Sequence, residues 1–249
     1  EVEMKNMVKN ICAAMVISLC AAGHLSATEN NPNNDNKFME ENLNLTQEWD
    51  KTFPQSDKVD HKKITFHNRY GITLAADLYV PKTTAGGELP AIAVSGPFGA
   101  VKEQSSGLYA QALAERGFLT IAFDPSFTGE SGGVPRNVAS PDINTEDFSA
   151  AVDFLANEDR VDPERIGILG ICGWGGFAIN AAANDTRIKV TVASTMYDIS
   201  RCTANGYFDQ ADNADARYEM RRRLNAQRTE DYRNGSYCLL YTSPSPRDS

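Results

Sequence analysis

The chain has 249 residues, 41% hydrophobic and 23% charged, with a formal net charge of -9. This is ordinary globular composition, with enough apolar residues for one sizeable core. The acidic balance speaks against a general nucleic-acid binder, which would present a basic face.

The N-terminal stretch is expected to lie outside the fold. From Met4, "MKNMVKNICAAMVISLCAAGHLSA" has a lysine-bearing front, an apolar run from Ile11 to Ala22 and small residues after it. That is the layout of a secretory signal peptide, and the run is shorter than a membrane span needs. Residues 1–27 are therefore read as an export signal, with 1–3 as read-through ahead of the true start and cleavage after Gly23 or Ala27. The expected product is periplasmic or secreted, without a stable membrane span. Bulky Leu19 disfavours a lipoprotein anchored through Cys20. Cys12 and Cys20 leave with the signal, and Cys238 falls in the tail described below. Cys172 and Cys202 remain, too few for a disulfide-built scaffold, although a bridge between them is open on sequence alone.

Residues 28–56 read as a polar, asparagine-rich leader followed by a weakly amphipathic stretch, Phe38–Asp57, expected to form a short surface helix. The folded domain is expected over residues 57–237. "KKITFHNRYGITLAADLYVP" contains two β-rich runs around a turn at Asn68–Gly71, an antiparallel hairpin. Pro81–Pro90 is a loop, and "LPAIAVSG" a strand buried on both faces. A helix, "SSGLYAQALAERG", closes at Gly117. It is followed by the strand "FLTIAFDP" and by the helix "TEDFSAAVDFLANE", with Thr145 as its N-cap. The strand "RIGILGI", the helix "GGFAINAAAN" and the strand "IKVTVASTMYD" continue the rhythm. Such alternation implies βαβ units in a mostly parallel sheet covered by helices on both faces. Asn213–Arg233 has mixed-sign charges and reads as a solvated helix. The closing "CLLYTSPSPRDS", Cys238–Ser249, breaks the rhythm and matches the in-frame translation of a sequencing-adapter end. Residues 238–249 are expected to be a non-native tail on a domain incomplete at its C-terminus.

"GICGWGG", Gly170–Gly176, stands where a strand hands over to a helix. A nucleophile lifted out of a sheet needs a sharp strained turn, small neighbours and a helix N-terminus whose positive end favours the thiolate. Cys172 sits at the centre of such a pattern. A small core cysteine in a glycine-rich junction is the alternative.

The hairpin, the βα order and the Gly-x-Cys turn resemble the α/β-hydrolase superfamily, in particular its dienelactone-hydrolase-like branch, in which cysteine can replace serine. The resemblance covers roughly Asp57–Arg233 and rests on "VSGPFGAVKEQSS", "AFDPSFTGESGG" and "GILGICGWGG". It implies oxyanion donors from the backbone N–H groups of Gly173 and of the Gly96–Gly99 loop, with Phe98 favoured because Pro97 has no N–H. It also suggests Glu103 as a carboxylate that holds the resting thiol; a surface glutamate beside Lys102 is the other reading. One departure is Trp174, where the pattern has a small residue. Asp124, Gly129 and Gly132 are expected to shape the rim.

The family order is nucleophile, acid, histidine. His61 and His67 precede Cys172 and read as hairpin residues, and Asp198 is an alternative acid at a strand end. The acid and histidine are expected beyond the truncation, which leaves this part of the protein inactive by itself. The sequence thus points to an exported hydrolase acting on a small-molecule ester or lactone, with no cofactor or metal implied. A non-catalytic binding protein on the same fold and an acyltransferase are the rivals.

Overall fold

The computed structural model describes residues 41–82 and 86–236. The export signal, the leader up to residue 40 and the tail at 238–249 lie outside the described residues. Among those described, no helix is long and apolar enough to cross a membrane.

Six strands form one sheet: β1 (Val59–His67), β2 (Thr73–Pro81), β3 (Leu89–Ser95), β4 (Leu119–Phe123), β5 (Val161–Ile171) and β6 (Ile188–Ser194). Their spatial order is β1-β2-β4-β3-β5-β6. β1 and β2 pair antiparallel from Val59↔Pro81 to His67↔Thr73. β2 also runs antiparallel to β4, whereas β4, β3, β5 and β6 are mutually parallel. The hairpin turn is held by Asn68, whose Oδ1 accepts from the N–H groups of Tyr70 and Ile72, both at 3.0 Å. This is the local bonding by which asparagine favours turns.

Alternation along the parallel strands feeds two cores. Leu119, Ile121 and Phe123 of β4 and Ile166 and Ile168 of β5 face α2 (Pro141–Ala156) and α3 (Trp174–Asn184) through Phe148, Val152, Leu155, Trp174 and Ala178. Val94, Ala122, Leu169 and Ile171 face the opposite way, towards Ala110 and Ala114 of α1 (Ser105–Ala114). Because both faces are covered, these strands read as continuous apolar runs rather than alternating ones. Burying each large side chain contributes roughly 1.5–3 kcal/mol. β6 is an edge strand that leaves Val190 and Val192 exposed.

Several boundaries differ from the sequence reading. Residues 41–57 contain no helix. The segment is instead a strap tied to the domain by Thr46 N to Glu130 at 2.7 Å, Thr52 N to the Glu103 carbonyl at 3.0 Å and Ser56 N to Gln111 at 3.1 Å. Backbone groups bonded across the domain do not close helical turns. α2 begins at Pro141 with Ser140 as its N-cap, so Thr145 lies inside it. Proline suits the first helical position because its missing N–H would be unpaired there anyway. β6 ends at Ser194, and Asp198 caps a further helix, α4 (Ile199–Asn205). The last helix, α5 (Ala214–Asn234), has no buried residue and ends on left-handed Gly235.

Candidate active site

β5 ends at Ile171, and Cys172 turns the chain with φ +59. A residue with a β-carbon is strained in this left-handed region, and such strain persists only where surrounding bonds enforce it. Two bonds do so: Cys172 N donates to the Ser194 carbonyl on β6 at 2.8 Å, and the Cys172 carbonyl accepts from Gly175 N at 3.0 Å. α3 starts at the next residue but one, with Gly173 at its N-cap and no side chain capping it. The half-buried thiol therefore sits where unpaired helix-start amides concentrate positive potential.

Trp174 does not crowd this turn. It is 3% exposed and inserts into the core, 5.0 Å centroid-to-centroid from Phe177 and 6.4 Å from Phe148. Room for it comes from Gly96, at the end of β3. A β-carbon there would lie 2.5 Å from the Ile171 carbonyl oxygen and 2.7 Å from Trp174 Cβ and Cδ1, and φ +98 suits glycine alone. The loop after Gly96 closes with Ala100 N donating to the Pro97 carbonyl at 3.2 Å. It sets Phe98 over the turn at Cys172 and Gly173, with its ring 5.7 Å from Trp174. A β-carbon at Gly173 would collide with the Phe98 ring and come within 2.5 Å of Ile199 Cδ1. Phe98 and Gly173, expected to carry the two oxyanion donors, are thus brought into contact beside Cys172.

The sequence reading missed Tyr197, which lies on the segment between β6 and α4. Its side chain lies near enough to Cys172 for the two groups to feel one another. Burial, that proximity and the neighbouring charges of Cys172, Tyr207 and Cys202 push the phenol up to about 12. Tyr197 therefore stays protonated across the neutral range, able to donate. No periodicity or motif marks this residue in the sequence.

The remaining expected residues go elsewhere. Glu103 belongs neither to the thiol nor to open surface: it pairs with Lys102 Nζ at 2.6 Å and Lys63 Nζ at 3.3 Å. Lys102 is fully buried and also bonds Asp124 at 2.9 Å and Glu130 at 2.6 Å. Burial alone would push this ammonium down; Asp124, Glu103 and Glu130 outweigh it and hold Lys102 well above the usual lysine range. Asp124 is therefore a buried ion-pair partner at the foot of the rim loop. Asp50, Glu103 and Glu130 bring carboxylate oxygens within 4.8 Å of one another. Lys63 reaches all three and Lys102 reaches two of them, so ammonium groups already neutralise the cluster.

His61 bonds Asp77 at 2.7 Å on β1, four strands from β5, about 19 Å across the sheet. His67 ends the same edge strand. Asp198 is spent on its helix, its Oδ1 accepting from Arg201 N at 2.9 Å and Ser200 Oγ at 2.6 Å. Cys172 and Cys202 are both free thiols. Among the described residues, then, Cys172 has amides and a phenol around it and no histidine.

A family model described as X-Pro dipeptidyl-peptidase (S15 family) matches residues 70–236. The uncharacterized protein PA2218 of Pseudomonas aeruginosa is 58% identical over 224 residues, 90% of this chain and 59% of its own length. The crystal structure of that protein superposes with a TM-score of 0.76 at 63% identity, covering 79% of this chain and 61% of the other. A thiohydrolase, aneE, of Aspergillus aculeatus is 31% identical over 138 residues, 55% of this chain and 42% of its length. The α/β hydrolase GrgF from Penicillium sp. sh18 is 24% identical with a TM-score of 0.55, covers 69% of this chain and 55% of that one, and shares the fold. The chain spans less than two-thirds of the length of each.

Proposed function

Since the chain belongs to the X-Pro dipeptidyl-peptidase (S15) family and has an α/β-hydrolase fold, we propose that it carries the nucleophile of an exported hydrolase acting on an ester- or lactone-type carbonyl. Cys172 is the nucleophile in this reading. Its thiolate attacks the carbonyl carbon, the charge moves to the oxygen, and the N–H groups of Gly173 and Phe98 stabilise that oxyanion. The C–O bond breaks and the leaving alkoxide takes a proton from water; a second water then cleaves the acyl-cysteine to the free acid and the thiol. Cysteine in this role is the likeness to dienelactone-hydrolase-type chemistry, and a relative named as a thiohydrolase supports a hydrolytic reading. Export rests on the pattern of residues 4–27. The acid and histidine of a complete triad lie, in this proposal, outside the described residues.

The observation that carries the reading is the left-handed backbone of Cys172 (φ +59) at the start of a helix. Non-glycine strain of this kind is concentrated at functional sites. The test is hydrolysis of p-nitrophenyl esters by the intact protein. Cys172→Ala is expected to lower the rate by at least about a thousandfold, as loss of a nucleophile does; undiminished turnover contradicts the reading. Product analysis with an added alcohol distinguishes hydrolysis from acyl transfer: free acid in water means hydrolase, and a new ester means transferase.

A further inference from the structure

We propose that Lys102 is a positioning residue for this reaction: it holds Asp124 with both its backbone N–H and its ammonium, and so fixes the loop that aims the Phe98 N–H at the oxyanion. The inference rests on the reading of Cys172 as nucleophile and Phe98 as oxyanion donor, and it names the group that sets the donor in place.

The loop between β3 and α1 is held at both ends. At the near end, Gly96 fits between the Ile171 carbonyl and Trp174. Beside it, Ser95 Oγ donates to the Phe123 carbonyl at 3.1 Å, joining the ends of β3 and β4. At the far end, Lys102 N donates to Asp124 Oδ1 at 2.8 Å, and Lys102 Nζ donates to Asp124 Oδ2 at 2.9 Å. Asp124 directly follows the last residue of β4 and is fully buried. One carboxylate on the sheet thus holds the main chain and the side chain of the same loop residue. The grip is reinforced from two sides. Glu130 N donates to Asp124 Oδ2 at 2.9 Å while Glu130 Oε2 accepts from Lys102 Nζ at 2.6 Å. On the strap, Thr52 N donates to the carbonyl of Glu103, the next residue, at 3.0 Å. Between the two anchors, Ala100 N closes on the Pro97 carbonyl at 3.2 Å, and the Phe98 ring lies against Gly173.

Stability alone does not call for a lysine here. Exchanging a buried ion pair for apolar side chains of similar volume is often neutral or stabilising. Charge-assisted hydrogen bonds differ from apolar contacts in being short and directional, and direction is what a loop donor requires. An oxyanion donor acts only when aimed at the place the oxygen will occupy, and a misplacement of about 1 Å can cost about a hundredfold in rate. Gly99, Ala100 and Val101 alone separate Phe98 from Lys102. A shift of the Lys102 main chain is therefore passed on to the Phe98 amide.

Two reactions of Cys172 in the intact protein separate positioning from folding. Acylation by p-nitrophenyl acetate, read as the burst of p-nitrophenolate, puts negative charge on the carbonyl oxygen and draws on the donor. Alkylation by iodoacetamide does not: the sulfur displaces iodide at a saturated carbon, and no oxyanion forms. Lys102→Met is expected to slow acylation about tenfold, less than the roughly hundredfold or greater cost of deleting a donor, and to leave alkylation within about twofold. The single variant strands Asp124, so Lys102→Met with Asp124→Leu is measured beside it, with urea midpoints for both. The double variant is expected to regain stability and to keep the slow acylation. Acylation that recovers together with stability, or that changes in step with alkylation, assigns Lys102 to folding alone and overturns the proposal. Ester turnover surviving in Cys172→Ala would instead overturn the nucleophile reading, so the two failures are distinguishable.

Discussion

Trp174 occupies the space that a side chain at Gly96 would need: an added β-carbon would lie 2.7 Å from its Cβ and Cδ1. The end of β3 and the start of α3 are thereby locked together. The Gly96–Gly99 loop carrying Phe98 and the turn at Gly173 form one packed unit beside Cys172. A large residue two positions after Cys172 is tolerated because it points into the core and the missing volume is taken from the facing strand end.

Gly96→Ala is therefore expected to damage stability and chemistry together. The left-handed backbone alone costs about 1–3 kcal/mol for alanine, and the contact with the Ile171 carbonyl displaces the turn. Urea unfolding should show the loss, and iodoacetamide labelling should show a slower Cys172. A variant as stable and as reactive as wild type would contradict the packing described.

Restoring a small residue at position 174 is not expected to improve the turn. Trp174 is buried among Phe98, Phe148 and Phe177, so Trp174→Ala opens a cavity and should cost about 3–5 kcal/mol. The measurement is the shift in denaturant midpoint.

Lys102→Met tests the charge cluster. It leaves Asp124, which is fully buried, without its ammonium partner, and breaking a buried pair from one side typically costs about 3–5 kcal/mol. Adding Asp124→Leu should recover part of the loss. Equal stabilities of the single and double variants would show that the two residues are not coupled.

Acid should weaken the same cluster in a defined window. Burial would raise the Glu130 carboxyl, but hydrogen bonds from Lys102, Lys63 and Thr46 overcome it and hold the group down at about 2, against 4.5 when unperturbed. A depressed carboxyl adds stability above its unfolded value and loses it as pH falls from about 4.5 to about 2. The stability difference between wild type and Glu130→Gln is therefore expected to be largest near neutrality and to close by about pH 2. Parallel curves over that range would rule out this role for Glu130.

The central fold was legible because its signals are periodic. Apolar runs of strand length alternate with helical faces from Leu89 to Ser194, and both sheet faces are covered, as those runs imply. The Gly-x-Cys turn was legible because only small residues allow it. What the sequence does not display is decided by long-range partners. Lys102 beside Glu103 looks solvated in one dimension, yet it is buried by carboxylates from three parts of the chain. The polar strap at 41–57 uses its backbone on Glu103, Gln111 and Glu130 instead of on helical turns. Tyr197 carries no local pattern at all; it is brought near Cys172 by the chain's bend at Thr195, whose φ is +50. Ser140–Pro141, by contrast, is a local helix start that the sequence does carry, with serine at the N-cap and proline at the first helical position.

The most direct test of Cys172 as nucleophile is to trap the acyl group. The protein is incubated briefly with p-nitrophenyl acetate, quenched in acid and mapped by peptide mass spectrometry. With no histidine at the sulfur among the described residues to activate water, the acyl-cysteine should persist long enough to be seen. The expected result is an acetyl group on Cys172 and none on Cys202. Acetyl on another residue, with Cys172 unmodified while ester is consumed, would contradict it.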